Sequence, residues 1–216
     1  MRTLILAVAV LASGCLTSPG GGSGTLFVTA RLTSDGSTSG SSARVTVRAG
    51  SSSGELVKNA EVAIRGGSLG RTLVSYDDAK NEYRLDSFTW VEGFRLEVIR
   101  GNDRLDGAIE APGATVITDP ISNTTYRRAD GPALAIRWKD ARGSNANTTQ
   151  LNLDKAKIDR AIAVGVIDVR LQPSELVVTD KERVRVERSN QVQLAGGATG
   201  STLSAGTEHE IEFRVE

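Results

Sequence analysis

Along most of this 216-residue chain, apolar and polar residues alternate one by one in short runs, and clusters of Gly, Asn, Asp and Ser separate the runs. A period of two sends successive side chains to opposite faces of an extended strand, so each run specifies a ribbon with one buried face and one wet face. The pattern is plain in Ala43-Arg44-Val45-Thr46-Val47-Arg48, Glu61-Val62-Ala63-Ile64-Arg65, Tyr83-Arg84-Leu85 and Phe94-Arg95-Leu96-Glu97-Val98. Turn residues stand between them at Asp35-Gly36, Gly50 to Gly54, Gly66-Gly67, Asp77 to Asn81 and Gly101-Asn102-Asp103. Half-wet strands of this kind belong to antiparallel sheets, whereas parallel sheets show continuous apolar runs with helices between them. The expected fold class is all-β.

The alternation is interrupted around Ala111-Pro112-Gly113 and Asp119-Pro120, and a second series begins after it. Two tandem antiparallel β-sandwich domains are therefore expected, over residues 25–111 and 112–216. In the second, Ala133-Leu134-Ala135-Ile136-Arg137-Trp138 places Leu134, Ile136 and Trp138 on one inward face. Val164 to Leu171, Arg183 to Glu187, Val192 to Leu194 and Glu210 to Val215 follow, the last closing the sheet. One stretch, Asp154 to Ala163, also reads as a short helix, with Asp154 as its cap and Ile158 and Ile162 four residues apart on its inner side. The Ser- and Gly-rich connection from Thr33 to Ser42 is long for a hairpin and is expected to be mobile rather than a recognition loop. With aromatics at 4% and a single cysteine, the cores must be built from Val, Leu, Ile and Ala without disulfides.

The start of the chain has a different character. Met1-Arg2-Thr3 precedes an apolar run from Leu4 to Ala12, far shorter than the roughly 20 residues that span a bilayer. Small residues Ala12, Ser13 and Gly14 then lead to Cys15, the only cysteine, and LTSPGGGSG follows over 16–24. This segment resembles the lipobox of bacterial lipoproteins, with Ala12 where Leu is commonest. The resemblance implies cleavage between Gly14 and Cys15, a diacylglyceryl thioether on the Cys15 sulfur and a third acyl chain on its new amino group. Leu16, in place of the Asp that holds such proteins at the inner membrane, implies the outer membrane, with the leaflet open. Residues 15–24 would then be the lipidated Cys and a flexible tether with a span of about 15–18 Å. The alternative is a plain secretory signal with a chance cysteine. Cleavage would remove Arg2 from 26 basic residues set against 26 acidic ones, so the mature chain is nearly neutral and nucleic acid is not an expected partner.

Two further resemblances are carried by the strands. Residues 42–111, especially Leu56-Val57-Lys58-Asn59-Ala60-Glu61-Val62-Ala63-Ile64, are similar to a transthyretin-like or carboxypeptidase-regulatory sandwich. Residues 115–215, with Pro120 and the Leu134 to Trp138 strand, are similar to an immunoglobulin-like or fibronectin type III-like sandwich. Both imply binding, spacing or assembly modules rather than enzymes.

Residues with catalytic or ligand-binding chemistry are sparse. His209, the only histidine, has the parity of Ile211, Phe213 and Val215 and is expected at a core margin, so no Ser-His or Cys-His pair is expected. Gly66-Gly67-Ser68-Leu69-Gly70-Arg71 lacks the Lys and the strand-to-helix setting of a phosphate loop and reads as a turn. Asp77, Asp78, Asn81 and Glu82 share one hairpin and form a weak candidate loop for a hard cation, with no cofactor otherwise expected. Tyr126, Arg127 and Arg128 with Arg137, Trp138, Lys139 and Arg142 combine cations and aromatics as anion or sugar sites do, although a solvated strand face explains them as well. The expectation is a non-catalytic, membrane-anchored scaffold with a protein partner in the cell envelope, accessory to adhesion, motility or secretion. The alternative is a glycan- or peptidoglycan-binding lipoprotein, which requires an exposed row of Trp90, Tyr76 or Tyr126. An envelope hydrolase, which would need acidic residues grouped around Asp77 and Asp78, stands third.

Overall fold

The computed structural model describes residues 24–36, 40–129, 131–140 and 146–216. The chain is all-β, and among the described residues the helical turns are two three-residue 3-10 segments, Gly67–Leu69 and Pro173–Glu175. The first half forms β1 (Leu26–Ser34), β2 (Ser41–Ala49), β3 (Glu61–Arg65), β4 (Arg71–Leu73), β5 (Ser75–Asp77), β6 (Glu82–Asp86), β7 (Gly93–Arg100) and β8 (Asp103–Glu110). The second half forms β9 (Thr115–Asp119), β10 (Thr125–Tyr126), β11 (Leu134–Asp140), β12 (Thr148–Leu153), β13 (Ile158–Ile162), β14 (Asp168–Leu171), β15 (Thr179–Gln193) and β16 (Thr202–Val215).

One nine-stranded sheet runs through the whole body in the order β13-β12-β15-β16-β1-β2-β6-β5, with β10 beside β16. Two smaller sheets cover its inner face side by side: β4-β3-β7-β8 over the first half and β14-β11-β9 over the second. Pairing is antiparallel except where β16 takes β1 and β10 in parallel.

The backbone of this arrangement is the β15–β16 hairpin, whose strands have 15 and 14 residues. At roughly 3.3 Å per residue, β16 extends about 45 Å. Its inward positions keep one parity from end to end. Leu203 and Ala205 join Val28, Leu32, Val45, Leu96 and Val98 in the first core, whereas Ile211, Phe213 and Val215 join Trp138, Leu151, Val184 and Val186 in the second. The break near residue 112 separates the covering sheets, but residues 189–206 of the hairpin return to the first half and complete its sheet. Leu194 closes against β8: a Cβ on Gly107 would lie 2.6 Å from Leu194 Cδ2, so a side chain there would have to displace the Leu194 methyl.

Between the two cores the inner face turns polar. Arg188, Asn190 and Thr207 are buried there, at inward positions where neighbouring rows carry Val and Leu. Asn190 Nδ2 donates to Glu110 O at 2.9 Å and its Oδ1 accepts from the Asn147 N–H at 2.7 Å. Thr207 Oγ1 donates to Gly113 O at 2.8 Å and lies 2.9 Å from Thr115 Oγ1. The joining segment between β8 and β9 is thus pinned to the hairpin by buried hydrogen bonds, which replace the apolar contacts missing at the seam.

Asp154 to Ala163 is not a helix. β12 and β13 form a hairpin through it, with Lys157 at φ 55° in the turn. Ile158 and Ile162 are four residues apart, a spacing that is also even, so they share a strand face as readily as a helix face. Buried Glu182 holds this turn. Its carboxylate accepts the Lys155 N–H at 2.8 Å, the Ala156 N–H at 3.0 Å and the Arg183 N–H at 3.1 Å. The connection from Thr33 to Ser42 is shorter than the sequence implies, because Thr33 pairs with Ser42 and Ser34 with Ser41. Residues 37–39 within it lie outside the described residues.

Candidate functional site

Gly14 and Cys15, with the rest of the expected signal segment and of the expected tether up to residue 23, lie outside the described residues. Where the described chain begins, Leu26 opens β1 beside the 196–200 turn of the long hairpin, with the Ala198 N–H donating to Leu26 O at 2.8 Å. The carboxyl end of β16 and β10 lie at the opposite end of the same sheet. Residue 24 therefore lies at one end of the body, and the second core lies at the other. Among the described residues, no helix is long and apolar enough to cross a membrane.

The Asp77 to Glu82 loop is a tight hairpin turn between β5 and β6, and each of its four candidate side chains places one oxygen against a neighbour. Asp77 Oδ1 accepts the Ala79 and Lys80 N–H groups at 2.9 and 3.2 Å. Asp78 pairs with Lys58 at 3.0 Å and holds that ammonium above its ordinary range, chiefly through the hydrogen bond. Asn81 takes φ 56° and lies 3.5 Å from the Tyr76 hydroxyl, while Glu82 turns to Arg44 at 3.4 Å. The four side chains thus serve the turn and three separate partners. Among the described residues, no group of three or more His, Cys, Asp or Glu is placed to hold a metal ion.

His209 lies at the margin of the second core, at the seam between the cores. Its Nδ1 accepts the Ile117 N–H at 3.2 Å, which makes the neutral ring carry its proton on Nε2 and ties β16 to β9. Gly66 to Arg71 forms a 3-10 turn at the end of β3, packed against Val91.

The three aromatics required by a glycan platform do not form a row. Trp90 packs on Phe88 and Phe94 and donates its indole N–H to Pro112 O at 3.1 Å. Tyr76 sits edge-on to Tyr83, with ring centroids 5.0 Å apart, and Tyr126 is in the other half of the molecule.

Of the cationic-aromatic cluster, the structure brings part together. Tyr126, Arg127 and Arg137 line one open cleft of about 560 Å³ in the second half, together with Asp119, Pro132 and Arg170. Arg128 leaves the cluster, its Nε donating to Pro173 O at 2.9 Å. Trp138 is buried in the second core, and its indole N–H has no acceptor among the described residues. Lys139 lies exposed on β11, and Arg142 lies outside the described residues. Arg170 is the member that sequence reading missed. It is opposite Ala135 on β14, a pairing that no local pattern announces.

The Tyr126 hydroxyl donates to Pro132 O at 2.9 Å, which ties Pro132 to the end of β10. Gly131 makes that closure possible, since a Cβ there would stand 2.9 Å from Arg127 O. The arginines are loosely matched: Arg137 Nη1 is 3.6 Å from Asp119, and Arg127 Nε is 3.5 Å from Glu216. Good charge-assisted pairs close to about 2.7–2.9 Å.

No protein-family model matches the chain, and no curated protein matches it. Among solved structures, an I-band fragment of titin matches at 8% identity and a TM-score of 0.27, over 88% of this chain and 65% of that one. A chimeric titin Z1Z2 tandem matches at 11% identity and a TM-score of 0.23, over 86% of this chain and 96% of that one. The chain thus spans less than two thirds of the titin I-band fragment.

Proposed function

We propose that the protein is a non-catalytic lipoprotein of the outer membrane, a tethered β-built spacer that holds a protein-binding surface away from the bilayer. The observation that carries this reading is Ala12-Ser13-Gly14-Cys15 with a Gly/Ser tether directly ahead of the folded body. Three acyl chains on Cys15 would anchor it durably, because each buried methylene contributes about 0.8 kcal/mol. A continuous hairpin spanning both cores supports the spacer role, since bending between the cores would have to break its hydrogen bonds. Confinement to the membrane surface would raise the protein's effective concentration near membrane-bound partners, as suits an accessory subunit of an adhesion, motility or secretion assembly.

The test is intact mass and detergent partition of the native protein purified from bacterial membranes. Lipidation predicts a chain beginning at Cys15, heavier than its amino acids by three acyl chains and the glycerol unit, and partition into the detergent phase. Cys15→Ser should move it to the aqueous phase. An unmodified mass with aqueous partition would overturn the reading.

A further inference from the structure

We infer that the cleft between Tyr126, Arg137 and Arg170 binds an extended acidic segment of a partner protein, with carboxylates on alternate residues. The inference deepens the spacer reading by naming the partner's chemistry. It depends on the cleft alone, so loss of the lipid anchor would leave it standing.

Charge comes first. Among the described residues, three guanidinium groups line the cleft with one carboxylate, Asp119, while Asp168 opposite Arg137 and Glu216 beside Arg127 stand at its edge. Arg170 has no ion-pair partner among the described residues, and the contacts of Arg137 and Arg127 are long. A guanidinium is a planar fork that binds carboxylate through two parallel N–H bonds, so loosely matched arginines leave much of that capacity open.

Shape selects the class of ligand. Sites for small molecules enclose most of the ligand surface. Here the Arg127 and Arg137 side chains are 70% and 53% exposed, so the cleft is an open groove suited to a segment of a larger partner. Arg and Tyr are also the residues that most often carry binding energy at protein interfaces.

Register then sets the spacing. Ala135 pairs with Arg170 and Arg137 with Asp168, so Arg137 and Arg170 are diagonal neighbours on the outer face of β11 and β14. Diagonal neighbours lie about 7–8 Å apart. In an extended peptide, side chains two residues apart project from one face about 6.6 Å apart, whereas adjacent ones point to opposite faces. A Glu-x-Glu segment therefore matches both forks at once, and a Glu-Glu pair matches one. The small side chain of Ala135 leaves room between them.

The test is fluorescence anisotropy of labelled peptides with the full chain in detergent. A peptide of alternating Glu and Ser is compared with one of the same composition in which the Glu residues form adjacent pairs at every second position pair, and with a Gln-for-Glu control. The alternating peptide should bind about fivefold tighter than the paired one, and the Gln peptide should not bind measurably. Arg137→Gln or Arg170→Gln should each weaken binding about tenfold, while Lys58→Gln in the first half should leave it unchanged. Circular dichroism of each variant checks that the fold is intact. Equal binding of the two acidic peptides, no binding of either, indifference to both arginine variants, or tighter binding of polygalacturonate than of the alternating peptide would each overturn the inference.

Discussion

Leu203→Ala tests whether the long hairpin makes one cooperative body of the two cores. Leu203 is fully buried in the first core, ten residues along β16 from Phe213 in the second. Emptying such a site costs about 2–5 kcal/mol. For a body of this size, the melting temperature should fall by roughly 5–15 °C. Whether the second core follows depends on the seam. Unfolding the first core would release the Asn190 bond to Glu110 and the Thr207 bond to Gly113, and would strip β1 from β16. Each buried hydrogen bond contributes about 0.5–1.5 kcal/mol net, so the coupling is on the order of 2–5 kcal/mol once the β1 pairing is included. That is enough to keep a half-folded species to a few per cent or less. The chain supplies its own reporters, because its two tryptophans divide between the cores, Trp90 in the first and Trp138 in the second. Fluorotryptophan labelling gives one fluorine resonance for each, assigned with Trp90→Phe. In a urea titration both resonances should report one midpoint, and Leu203→Ala should lower it equally at both. If the Trp90 midpoint falls while that of Trp138 stays, the cores are independent and the seam couples nothing.

Much of the strand layout was legible because parity is a strong signal wherever one face is buried. Glu61 to Arg65 is β3, and the runs at 43–48, 94–98 and 134–138 lie within β2, β7 and β11. The continuous hairpin was not legible. Its inward positions read Val184, Val186, Arg188, Asn190 and Val192, and the two polar residues split one strand into two apparent ones. They are inward because the joining segment Glu110 to Thr115 lies over them, and that is a tertiary fact. The same limit applies to the cleft. Tyr126, Arg127 and Arg137 could be grouped from sequence, but Arg170 joins them only through the β11–β14 register. Arg128 could not be set apart, because its carbonyl acceptor on Pro173 lies 45 residues away.

Other expectations follow from individual contacts. Glu182→Ala removes the acceptor for three backbone N–H groups and should destabilise the protein by about 2–4 kcal/mol, whereas Val116→Ala, on an exposed face of β9, should change stability by less than about 0.5 kcal/mol. Equal urea midpoints for the two variants would remove Glu182 from its role in the β12–β13 turn. Asn190→Leu should be destabilising despite its greater apolarity, because the Glu110 carbonyl loses its partner and the Asn147 N–H keeps only the Ser189 carbonyl at 3.1 Å; a gain in stability would show that the polar seam is dispensable. The pH dependence has a defined sign. Glu175 is held below its ordinary value near 4.5 by the Gln172 N–H and then by Arg160, and Glu212 by Lys181 and then by Arg183. Asp86 is held down by Arg84 in the same way. Each is charged more readily in the folded state than in the unfolded one, so its contribution is complete above the ordinary carboxylate range and fades as pH falls through the lowered folded values. The urea midpoint should therefore be flat from about pH 7 to 5 and fall below about pH 4. Glu175→Gln should lower the midpoint at pH 6 and converge on the parent at pH 3, since protonation has by then removed the same interaction from both. Curves that stay parallel down to pH 3 would show that these ion pairs do not contribute to the acid limb, and that its slope arises from general repulsion among the basic residues.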